Sequence, residues 1–234
     1  MAVNALLRPA RRERLPRSGR LIASREKAMA PPAPPLDPIV TTAVSPPWTG
    51  IVLAGGQSSR MGSDKALLPW GALTLLDQAR SRLLSAGAAR VVVCGRSGGE
   101  DEMPDDQRGQ GPLSALAQLA PRLDDGVLVI VPVDMPLLSS ELLQQLAGAS
   151  GACAAFEFHP LPMRLVLATP VRAMLARLSL LPEAQRSLRT LHRELGGNLL
   201  DGSRWQEELR GCNTPEEWRA LLQTAGCPAS DDSN

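Results

Sequence analysis

The chain has no tyrosine, two phenylalanines and four tryptophans in 234 residues. Its core must therefore be filled by Leu, Val and Ala, and the composition disfavours the multiple exposed ring platforms on which single-stranded nucleic acid stacks. Histidine is as scarce, with only His159 and His192, and neither has a nucleophile motif beside it; both read as satisfied surface or core side chains. The four cysteines, Cys94, Cys153, Cys212 and Cys227, stand far apart with no C-x-x-C pair. The ligand spacing of a structural zinc site is missing, and the thiols read as reduced core or surface groups. No apolar run approaches the ~18 residues of a membrane span, and no signal-peptide hydrophobic region follows the basic start. The expectation is a cytoplasmic protein with neither membrane nor nucleic acid as partner.

The net charge is only +1, but residues 1–29 carry eight Lys/Arg against two Glu, which leaves the rest of the chain at −5. This basic start, "RPARRERLPRSGRLIASREK", is followed by "APPAPPLDPIVTTAVSPPW" with seven prolines. Neither stretch can form a packed core. Residues 1–47 are expected to be a disordered extension, with Met29 as an alternative start. An Arg-rich, Ser-containing start also resembles an organelle transit peptide, and a basic arm can bind nucleic acid or anionic lipid. A single folded domain is expected over 48–226, with a flexible tail at 227–234.

From Trp48 onward, apolar β-branched runs alternate with helical patterns. "GIVLA" at 50–54, "RVVVC" at 90–94 and "VLVIVPV" at 127–133 suit strands buried on both faces of a parallel sheet. Between them, Leu73, Leu76, Ala79 and Leu83 keep one helix face that stops at Gly87. Leu113, Leu116, Ala120 and Leu123 follow Pro112 at a first-turn position. A third helix is expected after Ser139–Ser140. This order predicts an α/β fold, a doubly wound and mostly parallel sheet with helices on both faces. The second half is less regular: "ACAAFEF" and "RLVLAT" read as strands, Pro170 to Leu178 and "RSLRTLHREL" as helices. In "NTPEEWRALLQTAG" Thr214 caps a last helix, Pro215 takes its first position and Glu217 completes a capping box.

Open α/β sheets bind ligands outside the carboxyl ends of their strands, which directs attention to the loops after Ala54, Cys94 and Val133. The first loop belongs to "GIVLAGGQSSRMGSDKALLPW". Gly55 and Gly56 permit a tight turn, successive amides through Ser58, Ser59 and Gly62 can point at an anion, and Arg60 and Lys65 add full positive charges. Neither the Walker A spacing nor the Rossmann G-x-G-x-x-G is present. A different phosphate loop is one reading; a Gly-Ser turn with two surface charges is the other. Asp134 ends the third apolar run. It reads as a carboxylate for Mg²⁺, an ion that takes one or two carboxylates with phosphate oxygens and water, or as a cap for the turn into the helix at Ser140.

The stretch "LAGGQSSRMGSDKALLPW" resembles the nucleotide-binding signature of the molybdenum cofactor guanylyltransferases, within a wider group of nucleotidyltransferases with a similar loop. "PDDQRGQGPLSAL", "VPVDMPLLS", "HPLPMRL" and "GCNTPEEW" resemble further stretches of that family in the same order, so the likeness spans about residues 50–225. The resemblance implies that Leu53, Ala54, Gly55 and Gly56 contact the guanine nucleotide, that Lys65 contacts phosphate, and that Arg60 is the loop arginine. It implies that Asp105, with Asp106 as the alternative, recognises the nucleoside, and that Asp134 holds Mg²⁺. The implied reaction is attack by the terminal phosphate of molybdopterin on the α-phosphorus of GTP, with Lys65, Arg60 and Asp134 catalytic. GTP, molybdopterin or its molybdenum form, and proteins that deliver or accept the cofactor are the implied partners. Two positions depart from the family pattern: Ala115 stands where glycine is usual, and Gly211 replaces the first Asn of N-x-N-T-P, leaving Asn213. A cytidylyltransferase for the same cofactor and a non-catalytic nucleotide-binding module are the alternatives. "LAGG" resembles the guanine branch more than the cytidine branch.

Overall fold

A computed structural model describes residues 46–55, 64–104 and 109–226. The expectations for the basic extension, for the tail and for Cys227 fall outside these residues.

In chain order the elements are β1 (Trp48–Leu53), β2 (Pro69–Trp70), β3 (Leu73–Thr74), α1 (Leu75–Ser85), β4 (Arg90–Cys94) and β5 (Glu102–Met103). Then come α2 (Pro112–Leu119), β6 (Gly126–Pro132), α3 (Ser140–Ala147), β7 (Cys153–Phe156) and β8 (Met163–Leu167). The chain goes on through α4 (Thr169–Ser179), α5 (Leu188–Glu194), β9 (Asn198–Leu200) and α6 (Pro215–Thr224). A seven-stranded sheet runs in the order β5-β4-β1-β6-β8-β7-β9, and β2 and β3 form a separate hairpin. β8 is antiparallel to both β6 and β7, while β9 is parallel to β7. β8 therefore runs against every other strand of the sheet. The doubly wound, mostly parallel α/β architecture is as the sequence predicts.

Alternate residues of the central strands feed two cores, as a pleated sheet requires. Val52, Val93, Val129 and Val131 pack with Leu75 and Leu83 of α1, Leu142 and Leu146 of α3, and Leu221 of α6. Ile51, Val92, Leu128 and Ile130 face the other way, onto Leu113 and Leu116 of α2, Leu175 of α4 and Leu191 of α5. Arg164, buried in β8, donates to the carbonyls of Ala147 and Gly151 and so fixes the connection from α3 into β7.

Two helices differ from their sequence patterns. α1 starts at Leu75 because Leu73 pairs with Trp70 across the hairpin, and Thr74 caps the helix by accepting from the Asp77 amide. α2 stops at Leu119, so Leu123 lies beyond it; Pro121 has no amide to continue the ladder, and the chain tightens into a 3-10 turn at Ala120–Arg122. Among the described residues no helix is long and apolar enough to cross a membrane.

The register decides where the loops emerge. Leu53 lies level with Cys94 on one side and Pro132 on the other, so β1, β4 and β6 end together. Met163 at the start of β8 lies opposite Ile130 and Ala155. The loop 157–162 therefore emerges at that same edge of the sheet.

Candidate active site

A cleft of about 500 Å³ opens at this edge, with Leu53, Ala54, Gly55, Lys65, Asp134 and Asn213 among its walls. Its shape depends on a close approach of two loops. The Ala54 amide donates to the Cys94 carbonyl at 2.8 Å, and Gly95 then passes under Gly55. A Cβ on Gly95 would lie 2.3 Å from the Gly55 Cα, and its φ of +98° is one that side chains rarely adopt. Gly111, at φ +85°, turns the chain into α2, whose first residue, Pro112, borders the cleft.

Lys65 is placed by a short turn. The Asp64 carboxylate accepts from the Ala66 amide at 3.1 Å and caps the 3-10 turn Lys65–Leu67. Arg96, just past β4, binds the second Asp64 oxygen at 2.7 Å and ties the turn to the sheet edge. The Lys65 ammonium donates to the Cys212 carbonyl at 2.8 Å and to Asn213 Oδ1 at 3.2 Å, and lies 3.7 Å from Asp134 Oδ2. Cys212 and Asn213 are held in turn by α6. Glu217 accepts from the amides of Asn213 and Thr214, and Thr214 Oγ1 accepts from Glu217 in the capping box read from the sequence.

Asp134 follows the end of β6. The Val133 amide still donates to the Leu53 carbonyl, so the strand direction carries Asp134 into the cleft. Its backbone carbonyl accepts from the Cys212 amide at 3.0 Å, and buried Gln78 of α1 donates to the Pro136 carbonyl just beyond. Burial raises the Asp134 pKa above the usual carboxylate range, with the Lys65 ammonium acting against it. The alternative role as a helix cap does not hold: α3 is capped by Ser139, whose hydroxyl accepts from the Leu142 amide. Beside Asp134, burial pushes the Cys212 thiol up to about 11, so it stays protonated. Cys94, Cys153 and Cys212 are all buried and free of disulfides.

Of the residues singled out in the sequence, Leu53, Ala54, Gly55, Lys65 and Asp134 line this one cleft. Gly56 and Arg60, like Asp105 and its alternative Asp106, lie outside the described residues; Gly55, Asp64 and Gly109, which flank those stretches, all border the cleft. Asp64, Arg96, Gly95 and Cys212 were not anticipated. The "SDK" turn and the "CGR" at the end of β4 were the available signals. Both departures from the family pattern sit here. Ala115 borders the cleft, and a Cβ on Gly211 would meet Asp134 Oδ1 at 3.7 Å, an ordinary contact. Among the described residues no group of three or more His, Cys, Asp or Glu is placed to hold a metal.

Residues 50–199 match the MobA-like NTP transferase domain. The chain is 46% identical over 179 residues to a Xanthomonas euvesicatoria protein named molybdenum cofactor guanylyltransferase, covering 75% of this chain and 95% of that one. A nucleotidyl transferase from Methanothermobacter thermautotroptrophicus superposes with a TM-score of 0.61 at 19% identity, over 76% of this chain and 97% of the other. The molybdopterin-guanine dinucleotide biosynthesis protein A of Archaeoglobus fulgidus also superposes at 0.61, with 16% identity, over 76% and 98% of the two chains. These two likenesses concern the fold, and the match in sequence goes further: the chain belongs to the MobA-like NTP transferase family.

Proposed function

We propose that the chain transfers GMP from GTP to the terminal phosphate of molybdopterin, giving the guanine dinucleotide form of the cofactor and pyrophosphate. The observation that carries this reading is the Lys65–Asp134 pair in a cleft at the carboxyl end of the sheet, in a chain 46% identical to a relative of that name. An acceptor phosphate oxygen forms a bond to the α-phosphorus. The bond from that phosphorus to the bridging oxygen breaks, and its electron pair leaves with pyrophosphate. A phosphate nucleophile is already ionised at neutral pH, so the protein needs no general base and contributes positioning and charge.

Lys65 has three N–H groups, two of them engaged by Cys212 and Asn213. The third faces Asp134 at a distance too long for a good hydrogen bond, and a phosphate oxygen can take it. The backbone from Leu53 to Gly56 cradles the nucleotide, Arg60 adds a second positive charge, and Asp105, or Asp106, reads the nucleoside. Asp134 would suit a divalent cation, being a single carboxylate largely withdrawn from water in the cleft, with phosphate oxygens and water as the other ligands. An Mg²⁺ held by Asp134 would supply charge neutralisation at the phosphates and the leaving pyrophosphate. The enzyme acts in the cytoplasm, between a protein that delivers molybdopterin and the enzymes that accept the product.

The test is a panel of GTP, CTP and ATP on the purified protein, followed by pyrophosphate release with molybdopterin and a divalent metal. GTP should be preferred by at least about tenfold, because a site built to hydrogen-bond one base leaves buried groups unpaired with another. Equal binding of all three removes the guanine assignment, and a CTP preference makes the protein a cytidylyltransferase. Binding without metal-dependent pyrophosphate release makes it a non-catalytic module.

A further inference from the structure

A second cleft, of about 330 Å³, opens on the other side of the 157–162 loop. β7 and β9 run with β6, so their carboxyl ends reach the same edge of the sheet as the nucleotide cleft. The two clefts share a wall: Leu161 borders the first, and His159 and Pro160 border the second. Two residues span at most about 7 Å of chain, so the clefts are neighbours.

The second cleft is backed by the apolar side chains of Phe156, Met163 and Leu188. At its mouth Phe158 is 86% exposed and has a φ of +65°, the one non-glycine residue among those described with a positive φ. An exposed ring in a conformation that costs about 1–2 kcal/mol needs something to hold it there. Arg189 supplies that by donating to the Phe158 carbonyl at 3.1 Å. Both histidines of the chain border the cleft. His192 Nε2 lies 3.0 Å from the Asn198 carbonyl, which can only accept, so Nε2 donates there and the ring's other nitrogen, Nδ1, is left for a ligand. The ring is also pressed against Gly197, where a Cβ would come within 2.5 Å of it. A rigid imidazole, a guanidinium and an exposed aromatic face around an apolar floor suit a flat heterocycle with hydrogen-bonding edges.

We propose that this second cleft seats the heterocyclic end of the acceptor, a pterin-like ring lying on Phe158, with the acceptor's phosphate reaching past Leu161 into the nucleotide cleft. The proposal rests on the reading of the protein as a nucleotidyltransferase acting on molybdopterin. It is tested with Phe158→Gly, which removes the ring and relieves the backbone, and with Arg189→Ala. The KM for molybdopterin should rise at least about tenfold in Phe158→Gly, as for loss of a stacked ring. The KM for GTP should stay unchanged, and the melting temperature should hold or rise. A free pterin, 6-hydroxymethylpterin, provides a readout that needs no turnover: its fluorescence should be quenched on binding to the wild type and much less by either variant. An unchanged acceptor KM in both variants overturns the proposal. So does a loss of turnover confined to molybdopterin presented by a carrier protein, which makes the cleft a protein docking surface. If the wild type quenches the pterin but never releases pyrophosphate from GTP, the transferase reading fails while the cleft keeps its ligand.

Discussion

On the proposed reading Lys65 and Asp134 carry different kinds of work, and substitutions should separate them. Asp134→Asn keeps the shape of the side chain and leaves the Cys212 amide bond to the Asp134 carbonyl untouched. The expected outcome is an unchanged melting curve with pyrophosphate release lowered by orders of magnitude at low Mg²⁺. If Lys65 contacts phosphate in both ground and transition states, Lys65→Ala should lower affinity for GTP together with the rate. Normal turnover of Asp134→Asn at low Mg²⁺ would falsify the metal role. Two glycines give an opposite pair of expectations. Gly95→Ala forces a Cβ into the Gly55 backbone and should lower both the melting temperature and GTP affinity. Gly211→Ala meets only ordinary contacts and should leave the melting temperature within about a degree or two, as a substitution without strain does. Lys65 and Asp134 could be read from local sequence because a glycine-rich turn and a strand end each announce themselves. The need for glycine at position 95 could not, since it arises from a loop forty positions earlier in the chain.

At the level of elements, α6 does more than close the domain. Its capping box orders Cys212 and Asn213, and these hold the Lys65 ammonium. Thr214→Ala should cost about 1 kcal/mol of stability, as for other N-caps. It should also weaken GTP binding, which titration calorimetry can read; a loss of stability with GTP affinity intact would separate the cap from the site. The T-P-E-E pattern made this helix legible because capping is a local matter. β9 was missed for the contrary reason: it is three residues long, its first two are exposed, and only its partner β7 makes it a strand. The reversal of β8 lies between these cases. Strand direction leaves no trace in hydrophobic pattern, yet the six-residue connection at 157–162 is too short for a parallel crossover and in principle implied it.

For the molecule as a whole, the buried thiol of Cys153 predicts an alkaline limit. Burial pushes it up to about 12 from the ordinary thiol value of 9.0, so above pH 9 the folded chain holds a proton that the unfolded chain has released. Stability from this group is complete below pH 9 and declines as pH climbs toward 12. Denaturant melts at pH 8 and pH 10 should show the fall, and Cys153→Ala should show a smaller one. Removal of residues 1–45 should leave the melting transition and GTP binding in place, because that stretch is too rich in Pro and Arg to feed a core and the family match begins at residue 50. Loss of a cooperative melt in the truncated protein would show the opposite.

The hydrogen bond from Lys65 to the Cys212 carbonyl joins positions 147 residues apart. On a ribosome adding roughly 5–20 residues per second, Lys65 is made about 7–30 s before its partner. During that interval the emerging chain already holds every strand of the sheet except those still to be synthesised, yet its ammonium has no carbonyl to steady it. On the proposed reading, a nascent chain is expected to hold nucleotide less firmly than the finished polypeptide, in which Cys212 and Asn213 fix the ammonium. Chains stalled or cleaved before Gly211 should bind substrate more weakly than the full chain.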